Sequence, residues 1–152
     1  MVPKKAVRNV KKAPVGSLAG VVLGPTSKKK MYVSAYIHRG HRPKSKKARW
    51  RDDLTVAEEF GLFEVADDGG WRCSRGHMWA PGEHEGARRL GTKAERLAKF
   101  PRNTSTAPWH GYPVSPRLDG SRGRPDDDLL EKWVADGVIS RTFARRLQAD
   151  RL

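Results

Sequence analysis

The sequence predicts a small α+β domain with a flexible basic N-terminal arm, a small antiparallel sheet in its N-terminal half, and C-terminal helices ending in a helical hairpin. Three observations predict it. Apolar residues alternate through Met31-Tyr-Val-Ser-Ala-Tyr-Ile37 as in a strand, and helix-start signals with helical apolar spacing follow residue 125. The third is charge: residues 1–51 hold fifteen Lys and Arg and no acid, whereas residues 52–152 hold sixteen basic and seventeen acidic side chains. The net charge of +14 therefore belongs to one third of the chain.

Residues 1–16 combine dense charge with two prolines and no hydrophobic period, which reads as an extended basic tail. Residues 17–152 read as a single domain with a basic loop at 38–51 and a Pro/Gly-rich loop at 101–125. Leu18 to Leu23 form a first strand closed by the Gly24-Pro25 turn signal. In the next strand Met31, Val33, Ala35 and Ile37 face a core, leaving Tyr32, Ser34, Tyr36 and His38 on the other face. Thr55-Val-Ala-Glu58 has the pattern of a capping box and starts a short helix that Gly61 can end. Leu62–Ala66, Asp67–Gly70 and Trp71–Cys73 then read as strand, tight turn and strand.

A second capping-box pattern, Thr92-Lys-Ala-Glu95, precedes apolar Leu97 and Phe100 and predicts a helix closed by Pro101. Pro125 with Asp126, Asp127 and Asp128 marks another helix start, because acids oppose the positive end of the helix dipole. That helix stops at Gly137. A last helix follows Ser140 and buries Phe143 and Leu147. A DNA-reading helix-turn-helix register would bury Asp136 and Arg146 and place bulky Trp133 at the close approach, so a plain helical hairpin is expected.

A charge block without acids stays solvated or meets a polyanion, so the expected partner is nucleic acid, RNA before DNA. Lys28, Lys29 and Lys30 flank Tyr32 and Tyr36, which lie ~13 Å apart on one face of a regular strand, suited to stacking bases while cations meet phosphates. Arg39, Arg42, Lys44, Lys46, Lys47, Arg49 and Arg51 extend the surface through the basic loop, and Trp50 offers a third ring. A strand covered on both faces, with its tyrosines in a second core layer, is the competing arrangement.

Enzyme signatures are sparse. His110, in Ala107-Pro-Trp-His-Gly-Tyr-Pro113, is the best catalytic candidate; with a second His or Glu83 it would move protons in a ribonuclease or toxin-like effector. A structural component of a larger nucleoprotein particle is a further alternative. Cys73, His77, His84 and His110 lack the paired short spacings of structural zinc, so neither metal nor cofactor is expected. The lone Cys73 rules out an intramolecular disulfide and favours a reducing compartment, with the cytoplasm the expected location. The apolar stretch Val15–Leu23 is too short and polar to span a bilayer. A charged leader fits less well than a polybasic arm because no small-x-small cleavage site follows, and a transit peptide fits less well because the run ends in Lys28-Lys29-Lys30 before a clean strand pattern.

Overall fold

The computed structural model describes residues 18–40 and 46–152 together with the backbone of 7–9; the rest of the basic tail and positions 41–45 lie outside the described residues. The fold is α+β. Its strands form two three-stranded antiparallel sheets among the described residues, the expected one in the N-terminal half and a second beyond it. The first sheet joins β1 (Val7–Asn9), β2 (Gly20–Leu23) and β3 (Tyr32–Ala35), with Gly20 opposite Ala35 and Leu23 opposite Tyr32. The second joins β4 (Met78–Pro81), β5 (Leu97–Phe100) and β6 (Tyr112–Val114), with β5 central.

The described residues also form five α-helical segments: α1 (Val56–Gly69), α2 (Glu83–Gly86), α3 (Pro116–Asp119), α4 (Asp127–Ala135) and α5 (Arg141–Gln148). Helix α1 begins as expected, for the Thr55 side chain accepts from the Glu58 amide and the Glu58 carboxylate accepts from the Thr55 amide. It does not stop at Gly61. Phe60, Phe63 and Ala66 bury one stripe through the segment predicted as a strand, and Gly70, at φ 62°, ends the helix in the left-handed conformation. The expected hairpin over Leu62–Cys73 is thus the second half of a helix with its C-terminal cap.

The second sheet is a middle layer because its alternating side chains enter two different cores. Met78, Ala80, Ala98 and Phe100 join Phe60, Phe63, Tyr32, Trp50 and Trp109 on the α1 side. Trp79, Leu97 and Val114 join Leu130, Trp133, Phe143 and Leu147 of α4 and α5 on the other. Trp71 packs against both clusters.

Leu97–Phe100, expected in a helix, is a strand. Glu95 folds back to accept from the Lys93 amide at 2.7 Å rather than closing a capping box with Thr92. The loop at 101–125 contains β6, α3 and a 3-10 turn at Gly120–Gly123, with Ser115 capping α3 and Pro116 in its first turn. The C-terminal hairpin forms as predicted: Asp126 and Ser140 accept from the amides of Leu129 and Phe143, Gly137 lies between the helices at φ 73°, and Asp136 and Arg146 are exposed. Among the described residues no helix is long and apolar enough to cross a membrane.

Candidate nucleic-acid interface

The β2–β3 hairpin sets the position of the first basic cluster. Its turn is closed by the Thr26 amide donating to the Lys30 carbonyl and the Lys29 amide to the Thr26 carbonyl, each at 2.9 Å. Asp67, at the end of α1, accepts from the Thr26 hydroxyl and from Lys30 Nζ at 2.7 Å each. An acid at a helix C-terminus opposes the helix dipole, and Lys30 offsets that conflict. Lys30 is therefore committed to the fold, while Lys28 and Lys29 project from the turn into solvent.

Tyr32 does not present a ring to solvent. It is fully buried at 0% exposure, packed on Phe63 at 5.0 Å and Phe100 at 5.9 Å, and its hydroxyl donates to Glu59. All four β3 residues are buried, so the strand is covered on both faces. Glu59 is buried too; Ser34 Oγ donates to it at 2.7 Å, and Arg39 donates through Nη2 at 2.7 Å and Nε at 3.0 Å. Burial pushes the Glu59 carboxyl up, opposed by the Arg39 charge, and burial beside that carboxylate also raises the Tyr32 phenol. Arg39 further donates to the Leu54 carbonyl. It is thus a half-buried counter-ion to Glu59 rather than a free phosphate ligand.

Tyr36 remains available, being 52% exposed where β3 passes into the 3-10 turn Tyr36–His38. The basic loop returns beside that turn, as the Trp50 amide donates to the His38 carbonyl and Arg49 Nη1 to the Gly40 carbonyl, each at 3.0 Å. Trp50, at 1% exposure, belongs to the core beside Leu54 and Leu90 and offers no stacking platform. Arg51 pairs with Asp53 at the surface at 2.9 Å. Lys46 and Lys47 are exposed and Arg49 is half-buried; Arg42 and Lys44 lie outside the described residues.

A histidine pair adjoins this surface. Trp109 lies parallel to β3, its amide donating to the Met31 carbonyl at 2.9 Å and its carbonyl accepting from Val33 at 2.7 Å. That pairing carries His110 alongside the turn that holds His38. The two rings lie 6.2 Å apart and within 2° of parallel, and Tyr112 sits 5.1 Å from His38. Gly111 is required between them, since a Cβ there would lie 2.3 Å from the Phe100 ring. His38 Nδ1 donates to the Ala48 carbonyl at 2.8 Å, which leaves Nε2 as its acceptor.

No family model, curated protein or solved structure matches the chain.

Burial holds both imidazoles below their ordinary range, aided for His110 by His38 and for both by Lys47; His110 is pushed down to about 4. Both rings are consequently neutral near pH 7. A proton-shuttling pair needs one imidazolium beside one imidazole, and the lowering of both groups disfavours the imidazolium at that pH. Glu83, the other partner considered for His110, lies at the start of α2 on an apolar groove of about 1440 Å³ between α1, β4 and the α4–α5 turn. Cys73 and His77 line one polar pocket and His84 lines the apolar groove, so they do not gather with His110; among the described residues no three His, Cys, Asp or Glu side chains form a metal-binding group. The pairing of His38 with His110 had no signal in sequence, because 72 positions separate them and the Trp109–β3 bridge that brings them together is itself long-range.

Proposed function

We propose that the protein binds nucleic acid through the exposed cations of the β2–β3 turn and the basic loop, with Tyr36 as its stacking residue. One observation carries this reading. Lys30, Arg39 and Arg51 are neutralised by Asp67, Glu59 and Asp53, whereas Lys28, Lys29 and Lys46 are exposed with no acidic partner among the described residues. The fold spends its nearby carboxylates on three cations and leaves the others to an external polyanion. Phosphate contacts dominate such binding, which is salt-dependent and tolerant of sequence. The preference for single-stranded RNA rests on Tyr36 alone, because the other two candidate rings are in the core.

Titrating labelled single-stranded RNA and matched duplex DNA across a salt series tests the reading. The triple substitution Lys28→Ala, Lys29→Ala and Lys46→Ala should lower the log–log salt slope by about 2 on single strands, since each neutralised phosphate contributes roughly 0.7. Lys30→Ala should leave the slope unchanged. Equal slopes in the triple variant and the wild type would remove the assignment.

The contact between His38 and His110 favours RNA cleavage as the second reading. The same gels report it. Cleavage confined to mildly acidic pH and abolished by His110→Ala would establish the pair as catalytic, while intact RNA from pH 4 to 8 leaves a binding protein.

A further inference from the structure

A second cationic centre lies on the other face of the middle sheet and shares no residue with the N-terminal basic surface. It is a polar pocket of about 260 Å³. Arg75 and His77 reach it from the turn after Trp71, Lys99 from β5, and Arg122 and Arg124 from the 3-10 turn after α3 and the residues following it. The turn is built for this position: the His77 carbonyl accepts from the Cys73 amide at 2.9 Å, and Gly76 has φ 86°. Asp126 anchors it by accepting from the Ser74 amide at 2.9 Å and from the Ser74 hydroxyl at 2.7 Å.

Two carboxylates line the same pocket, and both are occupied. Asp126 holds Ser74 and caps α4 through the Leu129 amide, and Asp127 accepts from Arg124 and Gln148. Among the described residues no salt bridge ties Arg75, Lys99 or Arg122 to a carboxylate, and Asp119 acts on Lys99 only through its charge. Lys99 Nζ stands 5.1 Å from the centre of the Trp79 ring and donates to the Arg122 carbonyl at 3.1 Å, which fixes it at the pocket wall. His77 Nδ1 accepts from the Arg102 amide at 2.9 Å, so the neutral ring carries its hydrogen on Nε2 and adds a donor.

We propose that this pocket binds a phosphate group. Three separate chain segments supply ammonium, guanidinium and imidazole donors around one small concavity, the arrangement that charge-assisted recognition of a phosphate oxyanion needs. Its volume lies just under the range of roughly 300–1,000 Å³ typical of sites for drug-sized ligands, so a phosphate with a small attached group such as a sugar fits it. The electrostatics agree with the geometry. Burial lowers Lys99, with Arg122 and Arg75 adding to the effect against the opposing pull of Cys73 and Asp119, and burial with Lys99, Arg75 and Arg102 lowers His77. A bound anion relieves that mutual repulsion. The phosphate can be a backbone diester of a nucleic acid or part of a free phosphorylated molecule.

The test titrates inorganic phosphate into the full chain, read by ³¹P line width and calorimetry, with a single-stranded oligonucleotide as the second probe. Phosphate should bind saturably to the wild type and to the Lys28, Lys29 and Lys46 triple-alanine variant, and about tenfold more weakly to Lys99→Gln and Arg122→Gln. Arg122 is exposed, so its variant keeps the experiment decisive if Lys99→Gln fails to fold. Weaker oligonucleotide binding by Arg122→Gln would identify the ligand as a backbone phosphate; unchanged oligonucleotide binding with lost phosphate binding would identify a free phosphorylated molecule. Absence of saturable phosphate binding, or equal affinity in all four proteins, overturns the proposal. Neither outcome depends on the N-terminal surface binding nucleic acid.

Discussion

Glu59 shows how one residue reorganises the meaning of its neighbours. A buried carboxylate needs donors on its oxygens, and here Tyr32, Ser34 and Arg39 supply them from β3 and the turn beyond it. Two residues that sequence placed on a binding surface are therefore structural, and a glutamate inside a helix stripe gave no warning of it. His110 is a residue-scale case with a measurable signature. Its folded pKa of about 4 lies below the ordinary imidazole value near 6.5, so between those values the unfolded chain binds the proton first. Stability from this group is complete above about pH 6.5 and is lost as pH falls toward 4, by up to about 1.4 kcal/mol per pH unit. His110→Phe retains an aromatic ring without a titrating group. Subtracting its urea-unfolding profile from that of the wild type should isolate this slope, and identical profiles would show that His110 titrates as an exposed imidazole.

At the scale of elements, legibility followed the signals at helix starts. Thr55, Asp126 and Ser140 were each readable because a side-chain acceptor stands before an apolar helical stripe. Thr55→Ala removes one of the two reciprocal bonds and should cost about 1 kcal/mol in chemical denaturation, with no change in oligonucleotide affinity. Helix ends were harder. Gly69-Gly70 serves a helix cap as readily as a hairpin turn, and Leu62–Ala66 satisfies either period, so the choice rested on burial of Phe60 and Phe63 that only tertiary packing decides. Strands β4 and β6 were unreadable for a related reason: each contains a proline, and each is buried on both faces, which erases alternation. Ser115-Pro116 was a legible start for α3 within the loop at 101–125 that went unread.

Across the whole molecule, two cores divided by one sheet account for a basic domain that still packs. Apolar content is only 37%, yet a sheet buried on both sides lets short strands serve two clusters. Charge is segregated in the same economical way, with acids beyond residue 51 drawn to selected cations while clusters of cations gather at two separate places, the β2–β3 turn with the basic loop and the pocket around Lys99. Sequence composition announced the first of those places. The second was hidden because Arg75, Lys99 and Arg122 are dispersed singly through residues 52–152, where sixteen basic and seventeen acidic side chains nearly balance.

Trp71 turns the division between the cores into something light can report. Of the five tryptophans, Trp50, Trp79, Trp109 and Trp133 are at most 8% exposed, whereas Trp71 is half-buried and touches both clusters, 5.7 Å from Trp133. Acrylamide should therefore quench a minor fraction of the native emission, and Trp71→Phe should remove that fraction selectively. Under mild denaturant the accessible fraction should grow before helical circular dichroism declines, because separation of α4 and α5 from the sheet uncovers Trp71 first. Emission and circular dichroism falling together would instead mean that the two cores open as one cooperative unit.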